Sequence, residues 1–336
     1  MKDDVELNRD AAGSAPADKV TEKPQALPAT PDYKDYTAKP LPDHGRAPAP
    51  GLMQTLKTRV LYDKLLLPYA LLRHRRLLRR MPRRDDHTYT CFLRAPSQLA
   101  LLSGPVMDFI EPEGRLDIVL LACSNGAESY TIASWLRMHR PELDFHIHAS
   151  DLHQEMIARA QSGTYSRDEV LHSIYMSREF LDDTFHFTDG RYVVRPEIRQ
   201  HVSFSQASLL DGALLRQKFG RSPLVVAQNV LFHLAPDDVA KAFDNLVGLM
   251  APRAVLLIEG MQLDLRVKLT AQYGLTPFPH DLRRIYEESR VHTPPHWWRT
   301  YWGSEPYIAF RRHRARRYGT AFFRDEGPSA HAPAPS

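Results

Sequence analysis

The sequence predicts an α/β fold built around a mostly parallel sheet, and three observations support this. Leu116–Ala122 is a continuous apolar, β-rich run, which is typical of a strand covered on both faces. Similar runs then alternate with helical patterns along the chain, as in β-α-β units with right-handed crossovers. Finally, Asp189-Gly190 separates two β-rich runs, which predicts an antiparallel hairpin at about residues 184–196.

Composition limits the class of protein. The chain has 336 residues, 43% of them apolar, which suits a large globular domain with appendages. It has only 2 cysteines, and no metal-type spacing links them, so we expect no disulfide framework, no metal site and a cytoplasmic location. No apolar run is long enough to span a bilayer, and the N-terminus lacks the apolar core of a signal peptide.

The predicted organisation has five parts. Residues 1–50 and 327–336 are poor in large apolar residues and are predicted to be disordered tails. Residues 51–86 form a basic helical segment, 87–290 the main domain, and 291–326 an extension rich in aromatic residues and arginine that packs on the domain.

The basic segment contains an amphipathic helix predicted over Leu52–Arg80, which Pro68 kinks or divides. Its apolar stripe would pack on the main domain or, alternatively, lie on a membrane surface. Its arginines, and a second block at residues 311–317, could contact nucleic acid or an acidic partner, but a solvated surface is the simpler explanation. No recognisable nucleic-acid-binding signature accompanies them, so nucleic acid is an unlikely partner.

Within the main domain, the pattern predicts the following elements. The further strands are Phe145–Ala149, His201–Phe204, Pro223–Ala227 and Ala254–Glu259, and the helices are Glu128–Met138, Gln154–Gln161, Asp237–Met250, Leu263–Tyr273 and His280–Ser289. Pro306–Phe310 and Gly319–Phe323 are candidate closing strands.

Polar or small residues follow four of the predicted strands, where an open parallel sheet binds ligands. Most side chains in the stretch Ala122–Glu128 are small, so a ligand could approach its backbone. Asp151 could accept hydrogen bonds from both hydroxyls of a ribose. Ser208–Asp211 could contact an adenine ring, and Gln228-Asn229 would face the reacting group. The order and spacing favour a nucleoside-bearing ligand over a purely structural turn.

Five ordered motifs resemble those of the CheR-type chemotaxis receptor methyltransferases. They are Thr90-Cys91-Phe92-Leu93-Arg94 (TxFFR in the family), the turn from Ala122 to Tyr130 (ACSTGEEPY), Ala149-Ser150-Asp151 with Ala158–Tyr165, Val202-Ser203-Phe204 with Ser208-Leu209-Leu210, and Gln228–Leu234 (RNVLIYF). The resemblance covers about Thr88–Met261, and the hairpin lies where the family inserts a small antiparallel subdomain.

The resemblance implies a class I, Rossmann-like methyltransferase with a seven-stranded sheet and S-adenosylmethionine as cofactor. The cofactor-binding residues it implies are Thr90, Arg94, Ala122, Ser124, Gly126, Glu128, Asp151, Ser208, Leu209, Asn229 and Val230. Within this set Arg94 and Glu128 would serve the methionine portion and Asp151 the ribose. The family's acceptor is a glutamate carboxylate of a receptor protein, which needs no general base because it is ionised at neutral pH.

Departures from the family pattern leave the acceptor open. Gln228 replaces the family's arginine, and His233 replaces its tyrosine, which introduces a group able to act as a base near neutral pH. With Asn229, these are the candidate catalytic residues. Three hypotheses follow: transfer to a glutamate of a receptor-like or other acidic protein, transfer to a small molecule or another protein group with His233 near the acceptor, or a degenerate fold that only binds a partner. In the extension, Trp297, Trp298, Tyr301 and Trp302 would form a packed aromatic cluster or, alternatively, a substrate lid or a cation–π surface.

Overall fold

The computed structural model describes residues 66–80, 88–291, 293, 296–301 and 303–326. The two predicted tails, 1–50 and 327–336, and the predicted helical residues 52–65 lie outside these ranges. Within them the predicted α/β fold class is confirmed, with a mostly parallel seven-stranded sheet.

The elements have the following bounds. The strands are β1 (Leu116–Leu121), β2 (Phe145–Asp151), β3 (Thr164–Tyr165), β4 (Phe185–Thr188), β5 (Arg191–Val194), β6 (Val202–Gln206), β7 (Ser222–Gln228), β8 (Met250–Glu259), β9 (Thr276–Pro277) and β10 (Ala321–Asp325). The helices are α1 (Leu67–Arg79), α2 (Pro96–Leu101), α3 (Met107–Ile110), α4 (Ala127–His139), α5 (Gln154–Ser162), α6 (Arg167–Leu171), α7 (Arg178–Thr184), α8 (Pro196–Arg199), α9 (Gly212–Phe219), α10 (Pro236–Gly248), α11 (Leu263–Gln272), α12 (Leu282–Ser289) and α13 (Arg314–Tyr318).

The order of strands in the large sheet is β6-β2-β1-β7-β8-β10-β9. The first five are parallel, and β10 runs antiparallel to both β8 and β9. The chain moves outward from β1 through β2 to β6, and then returns to the other side of β1 with β7. Because the direction of winding reverses there, a crevice opens beyond the carboxyl ends of β1 and β7.

Alternate residues of β1 belong to different cores, as its apolar sequence predicts. Ile118 and Leu120 pack in one buried cluster, and Val119 and Leu121 pack in the other. The sheet therefore has a buried core on each face, and β1 lies rigidly between them.

The predicted antiparallel hairpin is present as β4 and β5, joined by Asp189 (φ 50°) and Gly190 (φ 74°). Two consecutive residues with positive φ match the tight turn that an Asp-Gly pair favours. The short strand β3 pairs with β5 and extends the hairpin to a three-stranded sheet.

One predicted strand is wrong, and one helix is only partly described. Pro306–Phe310 contains a turn in which the Arg311 N–H donates to the Ile308 carbonyl (3.0 Å), so this segment joins no sheet. Pro68 lies in the first turn of α1, where its missing N–H leaves no helical hydrogen bond unmade. In the described part of the chain, no helix is long and apolar enough to cross a membrane.

Gly126 offers a test of the packing beside β1. Its φ is 86°, and a Cβ atom would lie 2.9 Å from Ala160 Cβ and 3.1 Å from Phe204 Cζ. Because strain and overpacking act together, we expect Gly126→Ala to lower the free energy of unfolding by about 2–4 kcal/mol. Urea denaturation measures this loss.

Gly114→Ala is the matched control, since Gly114 also has a positive φ (77°) but nothing within 4 Å of the added Cβ. It should cost only about 1 kcal/mol of backbone strain. Equal losses in the two variants would contradict the packing argument.

Candidate functional site

The turn after β1 folds back tightly beside the sheet. Ala122 (φ 60°), Ser124 (φ 49°) and Gly126 (φ 86°) all have left-handed backbones within five residues. The Ala127 N–H donates to the Asn125 side-chain oxygen (3.2 Å), and the hydroxyl of Tyr165 donates to the Asn125 carbonyl (2.6 Å). These bonds stabilise a strained turn, as is common where a backbone is shaped for a ligand.

Asp151, the last residue of β2, joins this turn to the neighbouring loop. Its Oδ2 accepts the Ser124 N–H (2.8 Å), and its Oδ1 accepts the His153 N–H (2.9 Å). The side chain is buried, yet it lines the crevice. Because a carboxylate has about four acceptor positions, two remain for ligand hydroxyl groups.

The segment around Thr90 and Arg94 is held against α4. The Leu93 N–H donates to Thr131 Oγ1 (3.3 Å), while Ser173 Oγ donates to the Leu93 carbonyl (2.8 Å). Leu93 itself has a left-handed backbone (φ 43°), which turns the next residue toward the crevice. The Arg94 guanidinium lies 5.9 Å from the centre of the Tyr89 ring.

The end of β7 forms the opposite wall. Gln228 pairs in register with Glu259 of β8, and the Asn229 N–H donates to the Glu259 carbonyl (2.9 Å). Asn229 has a φ of 55°, and it approaches Gly260 so closely that a Cβ there would lie 2.5 Å from Asn229 Cα. This contact fixes Asn229 against β8, and His233 follows four residues later in the chain.

A cavity beyond β1, β2 and β7 brings nearly all the predicted site residues together. Its lining includes Thr90, Arg94, Ala122, Ser124, Glu128, Asp151, Ser208, Leu209, Gln228, Asn229, Val230 and His233. Gly126 is not part of the lining, because its open side faces Ala160 and Phe204. Packing and the positive φ, rather than ligand contact, explain why a glycine occupies position 126.

Glu128, in the first turn of α4, carries a perturbed carboxyl group. Burial raises its pKa to about 7, while Arg94 lowers it and the carboxylate of Glu259 raises it further. A carboxyl group in this state gains most from a ligand that brings a positive charge.

A larger chamber, of about 580 Å³, adjoins the strand-end cavity, which has about 100 Å³. The two share the lining residues Tyr89, Arg94, Asn229, His233 and Leu234. Apolar side chains make up much of the chamber wall, among them Leu71, Leu78, Leu231, Val239, Met261, Leu263 and Leu265. Its size falls within the range of small-molecule sites, roughly 300–1,000 Å³.

Segments from outside the sheet close part of this chamber. Arg317 makes a bidentate ion pair with Glu305, with distances of 2.6 and 2.8 Å, and its Nη1 lies 2.7 Å from Asp264. Arg75 of α1 lies 2.7 Å from the other oxygen of Asp264. Asp264 therefore joins α1, α11 and the C-terminal extension in one polar cluster.

The aromatic residues of the extension divide between packing and lining. Trp297 is buried, with its ring centre 5.2 Å from that of His74 in α1. Tyr301 lines the chamber 6.0 Å from the His233 ring. Trp297 therefore has the expected packed role, while a lid function for Tyr301 stays a prediction, and Trp302 lies outside the described residues.

One functional candidate, Glu259, is absent from the sequence predictions. Glu259 ends β8, is 8% exposed and lines the chamber, and Arg266 Nη2 lies 3.9 Å from its Oε1. The available signal was an acidic residue at the end of a parallel strand. In the described part of the chain, no group of three or more His, Cys, Asp or Glu residues is arranged to hold a metal ion.

Comparison with known proteins assigns the domain. A family model described as the SAM-binding domain of CheR methyltransferase matches residues 88–269. Chemotaxis protein methyltransferase 2 of Vibrio cholerae is 31% identical over 178 residues, covering 50% of this chain and 60% of that protein. Chemotaxis protein methyltransferase 1 of Pseudomonas aeruginosa is 27% identical, covering 43% of this chain and 53% of that protein.

The chain thus spans 60% or less of the length of these two relatives. Among solved structures, magnesium protoporphyrin IX methyltransferase of Synechocystis PCC 6803 is similar with a TM-score of 0.32 and 14% identity, covering 67% of this chain and 87% of that one.

The crevice has the chemistry that S-adenosylmethionine requires. Asp151 offers acceptors for a hydroxyl pair, and the apolar side chains of Leu152 and Leu209 lie in the same cavity, where they suit a flat base. At the other end, the buried carboxyl group of Glu128 suits an ammonium group. The donor and acceptor set therefore fits the cofactor of the matching family.

The perturbed pKa of Glu128 predicts how cofactor affinity depends on pH. Below pH 7 the carboxyl group is mostly protonated, and an ammonium ligand must displace that proton. We expect the affinity for S-adenosylhomocysteine to rise roughly tenfold between pH 6 and 8, as the free carboxyl group ionises. Isothermal titration calorimetry across this range tests the prediction.

Glu128→Gln is the matched variant, and it should bind more weakly with a much flatter pH profile. A flat profile for the unaltered chain, or the same slope in both proteins, would contradict the role of Glu128.

Proposed function

The chain belongs to the CheR methyltransferase family, and from that premise we propose that it transfers a methyl group from S-adenosylmethionine to an acceptor bound in the 580 Å³ chamber. The observation that carries this proposal is the junction of the two cavities at Asn229 and His233. A cofactor in the strand-end cavity and an acceptor in the chamber would meet there.

When bound, the cofactor supplies a methyl group on a positively charged sulfur, and the acceptor would attack the methyl carbon in line with that sulfur. The chain's contribution is mainly positioning. Asp151 and the turn at Ser124 hold one end of the crevice, and Arg94, Asn229 and Val230 border the other. The Asn229 backbone is anchored to β8, so the reacting region rests on the sheet rather than on a free loop.

We further propose that the acceptor is a small molecule with a hydroxyl or amine group. The chamber is much larger than a single glutamate side chain needs, and much of its wall is apolar. Glu259 is a buried carboxylate on that wall, with Arg266 no closer than 3.9 Å. It would repel an acceptor carboxylate, but it could accept the proton of a hydroxyl or amine.

His233 is the second group placed to assist such an acceptor. Its ring centre lies 4.2 Å from that of Phe232 and 6.0 Å from that of Tyr301, and the side chain lines both cavities at their junction. Near neutral pH an imidazole can hold a proton or release one to solvent. Glu259 and His233 are therefore the proposed acceptor-side residues.

A protein glutamate carboxylate is the second candidate acceptor. The names of the Vibrio and Pseudomonas relatives favour it, and so does Arg94, whose positive charge at the junction suits a carboxylate. The partner would then be a receptor-like or other acidic protein, because α1 carries arginines and no acidic residue.

The fate of a labelled methyl group distinguishes the candidates. The purified chain is incubated with S-adenosylmethionine labelled in its methyl group and a lysate of the organism that encodes it. We expect the label in a low-mass product that is stable to mild alkali, since ethers and methylamines do not hydrolyse. Label in protein that alkali releases as methanol would contradict the small-molecule acceptor, and absence of any labelled product would contradict methyl transfer.

Three variants serve this experiment. Asp151→Ala should weaken cofactor binding by about 1–3 kcal/mol and lower labelling roughly 5- to 150-fold when the cofactor is below its Kd. Glu259→Gln should lower product formation about 100-fold through loss of a proton acceptor, while S-adenosylhomocysteine still binds. Glu197→Gln, which alters an exposed carboxylate on α8, is the control and should behave as the unaltered chain.

A further inference from the structure

The outward face of α1 combines apolar side chains with arginines. Leu66, Tyr69 and Leu72 are 40%, 56% and 47% exposed, which is unusual for large apolar residues on one helix. Arg73, Arg76 and Arg79 are also exposed and follow them along the same side. At 100° per residue these positions fall within less than half of the helix circumference.

The inward face of the same helix is already occupied. Ala70 is buried, and Leu71 and Leu78 line the chamber. His74 Nε2 donates to the Thr300 carbonyl (3.2 Å), and the His74 ring packs edge-on against Trp297. The prediction that the apolar stripe of this helix packs on the main domain is therefore confirmed for its inward face only. Leu66, Tyr69 and Leu72 need another explanation.

A second segment has the same character. Phe310 is 89% exposed at the turn after Ile308, and it is followed by the exposed Arg312 and Arg314. No acidic residue occurs between 306 and 324. This segment and α1 are joined through Asp264, which lies 2.7 Å from both Arg75 and Arg317.

We propose that the outward face of α1 and the Phe310 turn dock on an anionic lipid bilayer. Arginines are attracted to acidic headgroups, while single aromatic and leucine side chains enter the boundary with the acyl chains. The charge is uniformly positive, as this surface requires. Nucleic acid would satisfy the arginines but would leave the apolar side chains in water.

The shape of these segments favours a bilayer over a protein partner. The apolar residues stand along a convex helix and at a protruding turn, and a fluid lipid interface can cover such separated side chains without a matching groove. The bilayer would lie about one helix diameter, roughly 10 Å, from the chamber. An acceptor that partitions into the membrane could then reach the site, although the docking itself does not depend on the proposed methyl transfer.

Sedimentation with vesicles tests the docking. The full chain is mixed with sucrose-loaded vesicles of phosphatidylcholine alone, or of phosphatidylcholine with about one third phosphatidylglycerol. We expect at least tenfold stronger partitioning to the anionic vesicles, and a decrease as salt is raised. Equal binding to both vesicle types, or no binding to either, would overturn the proposal.

Two variants separate the contributions, and both change exposed residues only. Leu72→Ser with Phe310→Ser should weaken binding to the anionic vesicles about tenfold, and Arg73→Gln with Arg76→Gln and Arg312→Gln should weaken it at least as much. Arg191→Gln with Arg221→Gln, exposed arginines elsewhere on the chain, is the control. Unchanged binding by the Leu72 and Phe310 variant would overturn bilayer docking, because a basic patch for polyanions would then suffice.

Discussion

The site depends on one carboxylate, that of Asp151. Each of its oxygens accepts one backbone N–H, from Ser124 at 2.8 Å and from His153 at 2.9 Å. These bonds tie the turn after β1 to the loop after β2, and they stabilise a turn with three left-handed residues. The Cys123 N–H also donates to the Ser150 carbonyl (2.9 Å), so backbone and carboxylate together hold the strained turn to the neighbouring strand.

The sheet supplies the rest of the constraint. Strands β1 and β7 are buried on both faces, so their carboxyl ends cannot shift without disturbing two cores. Asn229 is held to β8 by a backbone hydrogen bond and by its close approach to Gly260. The elements that carry ligand contacts are thus short loops on a rigid frame, which suits a reaction that depends on alignment.

The acceptor side is built differently, because α1 and the segment that carries Glu305 and Arg317 complete its wall beside the strand ends. The bidentate Arg317–Glu305 pair is almost fully buried, and burial alone would lower the pKa of Arg317, but the carboxylates of Glu305 and Asp264 raise it above its ordinary value. Through Asp264 this cluster also reaches Arg75 of α1. The proposed acceptor-side residues Glu259 and His233 belong to the cofactor domain, and α1 and the C-terminal extension complete the chamber around them.

Much of the fold and of the cofactor crevice could be predicted from sequence. The apolar run at Leu116–Ala122 and the Asp189-Gly190 turn predict local structure. The parallel topology then brings Ser124, Asp151 and Asn229 to one edge of the sheet. Glu259 ends a strand that the sequence predicts, but its place on the chamber wall and the Asp264 cluster depend on contacts between distant segments. The predicted strand at Pro306–Phe310 is wrong for a related reason, since strand pairing needs a distant partner and this segment forms a turn instead.

The central claim is that S-adenosylmethionine binds across the ends of β1, β2 and β7 with its reacting sulfur toward the chamber. A crystal structure of the chain with S-adenosylhomocysteine tests it most directly. We expect the ribose hydroxyls within hydrogen-bonding distance of Asp151, the amino group near Glu128, and the sulfur at the junction beside Asn229 and His233. A ligand bound elsewhere, or one in the crevice with its sulfur turned away from the chamber, would contradict it.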